Sequence, residues 1–132
     1  MKRPCSVTNK VVLGDLRIVP IIAIDFSMGN LTFGRDVNLH QIDLSKPNEY
    51  RDLILMIAAS YSNCTNLPMF GYGAKTSKQS TKPAAIFPVS RSVRNPFTPN
   101  DQETIEIRYQ TILEQIEMTL PVNLNPLLLF FK

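Results

Sequence analysis

The run Ile21-Ile22-Ala23-Ile24-Asp25-Phe26-Ser27-Met28-Gly29-Asn30 limits what this chain can fold into more than any other stretch. A short, unbroken apolar run of this kind reads as a strand buried on both faces, as in a parallel sheet. Its apolar part ends in an acid, with a hydroxyl two places on and a Gly-Asn turn after that. Open α/β sheets place their ligands at the carboxyl ends of strands, where Asp25 and Ser27 would sit. Pro20 marks the start of the strand or a bulge in it, since proline cannot donate to a central ladder.

The 132 residues suffice for one modest core and are too few for two ordinary domains. No apolar run approaches the roughly 20 residues of a membrane helix. Met1-Lys2-Arg3-Pro4 is basic, but no long apolar segment follows, so no signal peptide is expected. Cys5 and Cys64 form neither a disulfide framework nor a metal-ligand spacing, and are expected to be reduced thiols of a cytoplasmic protein.

Val11-Val12-Leu13 is the main apolar signal before a Gly14-Asp15 turn, so residues 1–13 read as an extension and residues 14–132 as one domain. An extended run from Leu16 to Phe26 leads into a polar connection over residues 27–46, which carries Gly34 and the one histidine, His40. A lone loop histidine with no partner in a motif is expected to be structural or incidental. Ser45-Lys46-Pro47-Asn48-Glu49 has the hydroxyl or amide cap, early proline and early acid of a helix start. That helix should run to about Ser62, with Tyr50, Leu53, Ile54, Ile57 and Tyr61 on the stripe facing a sheet.

Leu67 to Ala74 reads as a strand whose Gly71 and Gly73 imply close backbone approach or a strand end at a loop. Its GxG lacks the remainder of a phosphate-binding pattern. Ala84 to Val89 reads as a third strand, placed at an edge by Pro88, and Asn95 to Asn100 as a turn. Thr98 or Asn100 is expected to cap a second helix with a buried stripe of Ile105, Tyr109, Ile112, Leu113 and Ile116, stopped by Pro121. The chain closes on Asn125-Pro126-Leu127-Leu128-Leu129-Phe130-Phe131-Lys132, apolar enough to begin another helix on a sheet. This order predicts an α/β fold: a partial doubly wound, Rossmann-like sheet with flanking helices.

The formal charge is +3, but its distribution is more informative. Lys75, Lys78, Lys82, Arg91 and Arg94 share a segment with no acid. Such a segment can contact lipid or other phosphates, or simply keep a sheet edge soluble. No aromatic platform interleaves with these charges, so no nucleic-acid partner is expected.

Ile-Asp-Phe-Ser-x-x-Asn at 24–30, Asn-Glu-Tyr at 48–50, Pro-x-Phe-Gly-Tyr-Gly-Ala at 68–74, Asn-Pro-Phe at 95–97 and Leu-Pro-x-Asn-x-x-Pro at 120–126 occur in one order. Together they resemble the von Willebrand factor A-like domain of copines and the related domain of plant RING ubiquitin ligases. The likeness covers roughly residues 14 to 132. It implies a metal-ion-dependent adhesion site above the first strand, where Asp-x-Ser/Thr-x-Ser, a threonine on a second loop and an aspartate on a third supply oxygens. A partner's carboxylate typically completes the shell.

Mapped onto this chain, Asp25 and Ser27 match the first positions, while Gly29 and Val122 stand where the family carries hydroxyls. The chain ends before the strand expected to carry the last aspartate, so the domain is expected to be truncated and the metal site degenerate. Asn30 and Asn123 add amide oxygens only, and Asp25 with Ser27 is expected to cap the turn. No cofactor is therefore expected, with weak magnesium, manganese or calcium binding as the alternative.

The sequence carries neither the C2 domains of copines nor RING-type zinc-spaced cysteines, and no nucleophile–base pair. The expected function is a non-catalytic protein-interaction module with an unknown protein partner on the loops at Gly29, Asn30, Val122 and Asn123. The alternatives are calcium-linked phospholipid binding at the plasma membrane surface through the basic segment, or a non-functional fragment. Self-association through an open sheet edge and the apolar tail is also expected.

Overall fold

Ile22, Ile24 and Phe26 are buried while Ile21 and Ala23 are exposed, and this alternation sets the architecture of the computed structural model. Residues 18–32, 37–40, 48–120 and 123–132 are described. Strand β1 (Ile22–Asp25) lies parallel to β4 (Asn66–Tyr72), with Ile22 opposite Met69 and Asp25 opposite Tyr72. Helix α1 (Glu49–Ser60) lies in the connection between them, as a parallel pair requires. Strands β6 (Phe87–Pro88) and β7 (Phe97–Pro99) both run antiparallel to β4, so the sheet is mixed. Two short pairs complete the ladders: β2 (Leu31–Thr32) with β3 (Val37–Asn38), and β5 (Ala74–Lys75) with β8 (Glu117–Met118).

Helix α2 (Gln102–Gln115) contributes Ile105, Tyr109 and Ile112 to the same core as Ile54 and Ala58 of α1. The sheet meets them with Ile22, Ile24, Leu67 and Met69. On the other face, Phe70 touches Phe130 and Phe131, at and just after the end of helix α3 (Asn125–Phe130), with ring centroids 5.3 Å apart in each case. No residue of α3 is buried, and Leu128 and Leu129 are each 64% exposed.

Several sequence expectations need correction. The first strand is buried on one face only, because both long helices cover the same side; Ile21 is 50% exposed. Leu53 is also 50% exposed, and lines an apolar groove of about 420 Å³ between β1 and α1. The turn over residues 95–100 contains β7, which pairs with Asn66 to Pro68. Neither Thr98 nor Asn100 caps α2: Asp101 Oδ1 accepts from the Thr104 backbone N–H at 2.8 Å. Asn100 instead donates its amide to the carbonyls of Ala58, Tyr61 and Cys64, closing the C-terminal end of α1.

The third strand is shorter than expected, with Phe87 and Pro88 alone in the ladder at the sheet's end. Helix α2 ends before any proline, because Ile116 turns extended and the chain enters β8. Cys5, the residues from Val11 to Leu16, Gly34, Ser45 to Pro47 and Pro121-Val122 lie outside the described residues.

Gly71 within β4 and Gly73 between β4 and β5 both do what close approach requires. A Cβ on Gly71 would lie 2.5 Å from the Phe87 ring and 2.7 Å from the Phe26 ring. Gly73 has φ +78°, and a Cβ there would meet the Ser27 Cβ at 2.9 Å.

Candidate functional site

The carboxyl end of β1 delivers Asp25 half-buried to the rim of the sheet, and the chain turns at once. Asp25 Oδ1 accepts from the Ser27 backbone N–H at 2.9 Å, the local turn that aspartate side chains favour. Ser27 then opens a 3-10 turn over Met28–Asn30. Its side chain is 1% exposed, against Gly73, and Oγ has no hydrogen-bond partner among the described residues.

Side chains from distant segments hold this turn. Asn30 donates Nδ2 to the carbonyls of Asp25 (2.8 Å) and Ser27 (3.1 Å). Its Oδ1 accepts from the Tyr50 hydroxyl at 2.7 Å, so the first turn of α1 is tied to the loop. His40, 2% exposed, places Nε2 2.6 Å from the Asp25 carbonyl and Nδ1 2.7 Å from the Tyr109 hydroxyl. A carbonyl only accepts, so Nε2 carries the proton and Nδ1 of the neutral ring accepts from Tyr109. Asn48 Oδ1, which caps α1 by accepting from the Arg51 N–H at 2.9 Å, lies 3.4 Å from the same hydroxyl. The Met28 N–H donates to the Thr119 carbonyl at 3.1 Å, and Thr119 donates both its N–H and its hydroxyl to the Gly73 carbonyl.

Burial sets the electrostatics. It pushes His40 below its ordinary 6.5, against the opposing bond to the Asp25 backbone and the nearby Asp25 charge. It pushes Tyr50 and Tyr72 upward, and the Asp25 carboxylate adds to both shifts. The Tyr109 hydroxyl is driven well above its usual range by burial.

The expected site residues are thus only partly brought together. Asp25, Ser27, Gly29 and Asn30 form one loop, stitched to the strand end at Thr119. Asn123 is exposed and spends its Oδ1 on the Asn125 N–H at 3.0 Å, while Val122 lies outside the described residues. In the basic segment, Lys75 is paired with Glu117 at 3.0 Å, whereas Lys78, Lys82, Arg91 and Arg94 are exposed.

The metal-ligand chemistry can be tested on these residues. A hard dication wants six or more oxygens, typically one or two carboxylates with carbonyls, hydroxyls or waters making up the rest. The loop offers one carboxylate, already bonded through Oδ1, and one buried hydroxyl. The unpartnered Ser27 Oγ and the second Asp25 carboxylate oxygen would both welcome an ion, and Gly29 beside them adds no oxygen. Among the described residues no cluster of three or more His, Cys, Asp and Glu could hold a metal. Among the described residues, this corner is therefore short of the oxygens a resident dication needs.

Sequence reasoning missed the polar side of this corner. Tyr50 and Tyr109 were legible as packing positions on helix stripes, not as hydroxyls aimed at a loop. His40 and Tyr109 are 69 positions apart, and no local pattern links them.

The copine family model matches residues 38–131, taking in α1, both long-helix faces of the core and α3. The Asp25–Asn30 loop lies just before the matched range. With most of its length matched, and with the mixed α/β sheet and flanking helices in place, the chain belongs to the copine family.

Proposed function

We propose that this chain is a non-catalytic, cytoplasmic protein-interaction module whose partner surface is the Asp25–Asn30 loop, a metal-ion-dependent adhesion site reduced to its first two ligands. One observation carries the reading: Asn30, His40 and Tyr50 supply hydrogen bonds that hold the loop without an ion. A loop held this way needs no cation for its shape, and Gly29 removes an oxygen that a cation would use. Asn123 and Val122 complete the proposed surface from the second loop.

Melting in EDTA and in rising magnesium, manganese or calcium tests it. A resident site stabilises by about 2.7 kcal/mol at roughly a hundredfold excess of ion over Kd, a shift of several degrees. The proposal expects no resolvable shift at sub-millimolar ion, and a gain when Gly29→Ser and Val122→Thr are combined. A shift in the unaltered chain that Asp25→Ala abolishes would overturn it.

A second reading rests on the exposure of Lys78, Lys82, Arg91 and Arg94. These bases suit an anionic membrane surface, and binding through them fades with salt. Sedimentation with phosphatidylserine vesicles should be weakened by Lys78→Glu with Lys82→Glu, and less by Lys75→Glu because Lys75 already answers Glu117. Vesicle binding indifferent to salt and to these changes would remove this reading.

A further inference from the structure

On the metal-free reading proposed above, the charge preference of the β1 loop is reversed relative to a metal-filled site. A bound dication makes such a corner attract a partner's carboxylate. In this chain the corner presents the Asp25 carboxylate itself, and Asp25 has no ion-pair partner among the described residues. Asp25 and Tyr72 are register partners on neighbouring strands, so their side chains leave the same face of the sheet. Both are half-buried, and the Tyr50 hydroxyl is joined to the Asp25 carbonyl through Asn30. One carboxylate oxygen is taken by the Ser27 N–H, leaving the other for a ligand.

The second observation is independent of that acid. Ser27 Oγ, 1% exposed, is a buried hydroxyl with no partner in the same turn, and its neighbour Gly29 is exposed and carries no side chain. Among the described residues, an unpaired carboxylate, with Tyr72 its register partner and an unpartnered hydroxyl buried beneath the same turn, suits a donor-rich cation: charge-assisted hydrogen bonds to the acid, and a cation–π contact with the tyrosine. A guanidinium has five N–H donors and no acceptor, and matches this set better than a carboxylate or a neutral amide does.

We infer that the corner formed by Asp25, Ser27, Gly29 and Tyr72 takes a basic side chain, an arginine above all, from a protein partner. This rests on the loop being metal-free in function. The desolvated approach favours arginine over lysine, whose ammonium is more strongly hydrated.

The test uses the full chain, isotope-labelled, with Ac-Gly-Arg-Gly-NH2 and Ac-Gly-Asp-Gly-NH2 as probes, each in EDTA and in magnesium. The arginine peptide should shift the amides of Ser27, Gly29 and Asn30 in EDTA, with affinity falling as salt rises. Asp25→Asn keeps an Oδ1 acceptor for the turn while removing the charge, and should weaken binding about tenfold or more. Equal shifts from both peptides, or shifts from the aspartate peptide alone, would overturn the inference. This comparison needs no variant, so it stands even if Asp25→Asn folds poorly. Silence from both peptides in EDTA overturns the inference while leaving the metal-free reading intact; aspartate-peptide shifts that appear only with magnesium overturn both.

Discussion

Replacing His40 with alanine is expected to cost about 2–5 kcal/mol of stability, whereas phenylalanine there should cost about 1–3 kcal/mol. The ring fills a site between Tyr50 and Phe26, with centroids 4.0 and 5.0 Å away, so alanine opens a cavity and phenylalanine largely does not. Either change removes the bonds to the Asp25 carbonyl and the Tyr109 hydroxyl. The carbonyl keeps Asn30, and Tyr109 can turn to Asn48, which is why the phenylalanine penalty stays moderate. Urea denaturation of the two variants beside the parent separates the packing contribution from the polar one. A near-neutral alanine variant would mean that His40 does not support the loop.

The same residue predicts how stability depends on pH. Above its ordinary value of 6.5, His40 is neutral in both the folded and unfolded chain and contributes no slope. Below that value, and down to its depressed folded value, the unfolded chain takes up a proton that the folded chain refuses. Stability therefore falls as pH falls through this window. The slope should be smaller in the phenylalanine variant, which has nothing to titrate there.

Alanine at Gly71 is expected to destabilise by about 1–3 kcal/mol, and valine by more, through overpacking rather than backbone strain. The added Cβ would fall within 2.7 Å of two rings that are themselves buried, Phe87 at 5% and Phe26 at 0% exposure. Those rings lie 5.9 Å apart in a stacked arrangement, so neither can retreat without disturbing the core beside β4. Trimming Phe87 to leucine should cost stability alone and recover part of it in the Gly71→Ala background. A double-mutant cycle measures that coupling. Simple additivity would contradict the close approach.

Elements with strong periodicity were legible in advance. The stripe of Ile105, Tyr109, Ile112, Leu113 and Ile116 needs only helical spacing; four of the five are buried and Leu113 is half-buried. The amide alternative at the first helix start, Asn48, is the cap. The short strands were not legible, because β7 and β8 have three and two residues and exist through partners far off in the chain. A continuous apolar run cannot say how many of its faces are covered, and β1 proved to have one open face. At the candidate site, the turn-forming role of Asp25 could be read locally. The support from His40, Tyr50 and Tyr109 could not, because it depends on how two helices close over the sheet.

The central claim is that side chains, and no ion, give the β1 loop its shape. Amide hydrogen exchange at Met28 and Asn30 reads this most directly, since their N–H groups donate to the Thr119 and Ser27 carbonyls. Equal protection in EDTA and in millimolar magnesium is the predicted result. Protection that appears only with magnesium, and vanishes in Asp25→Ala, would contradict it.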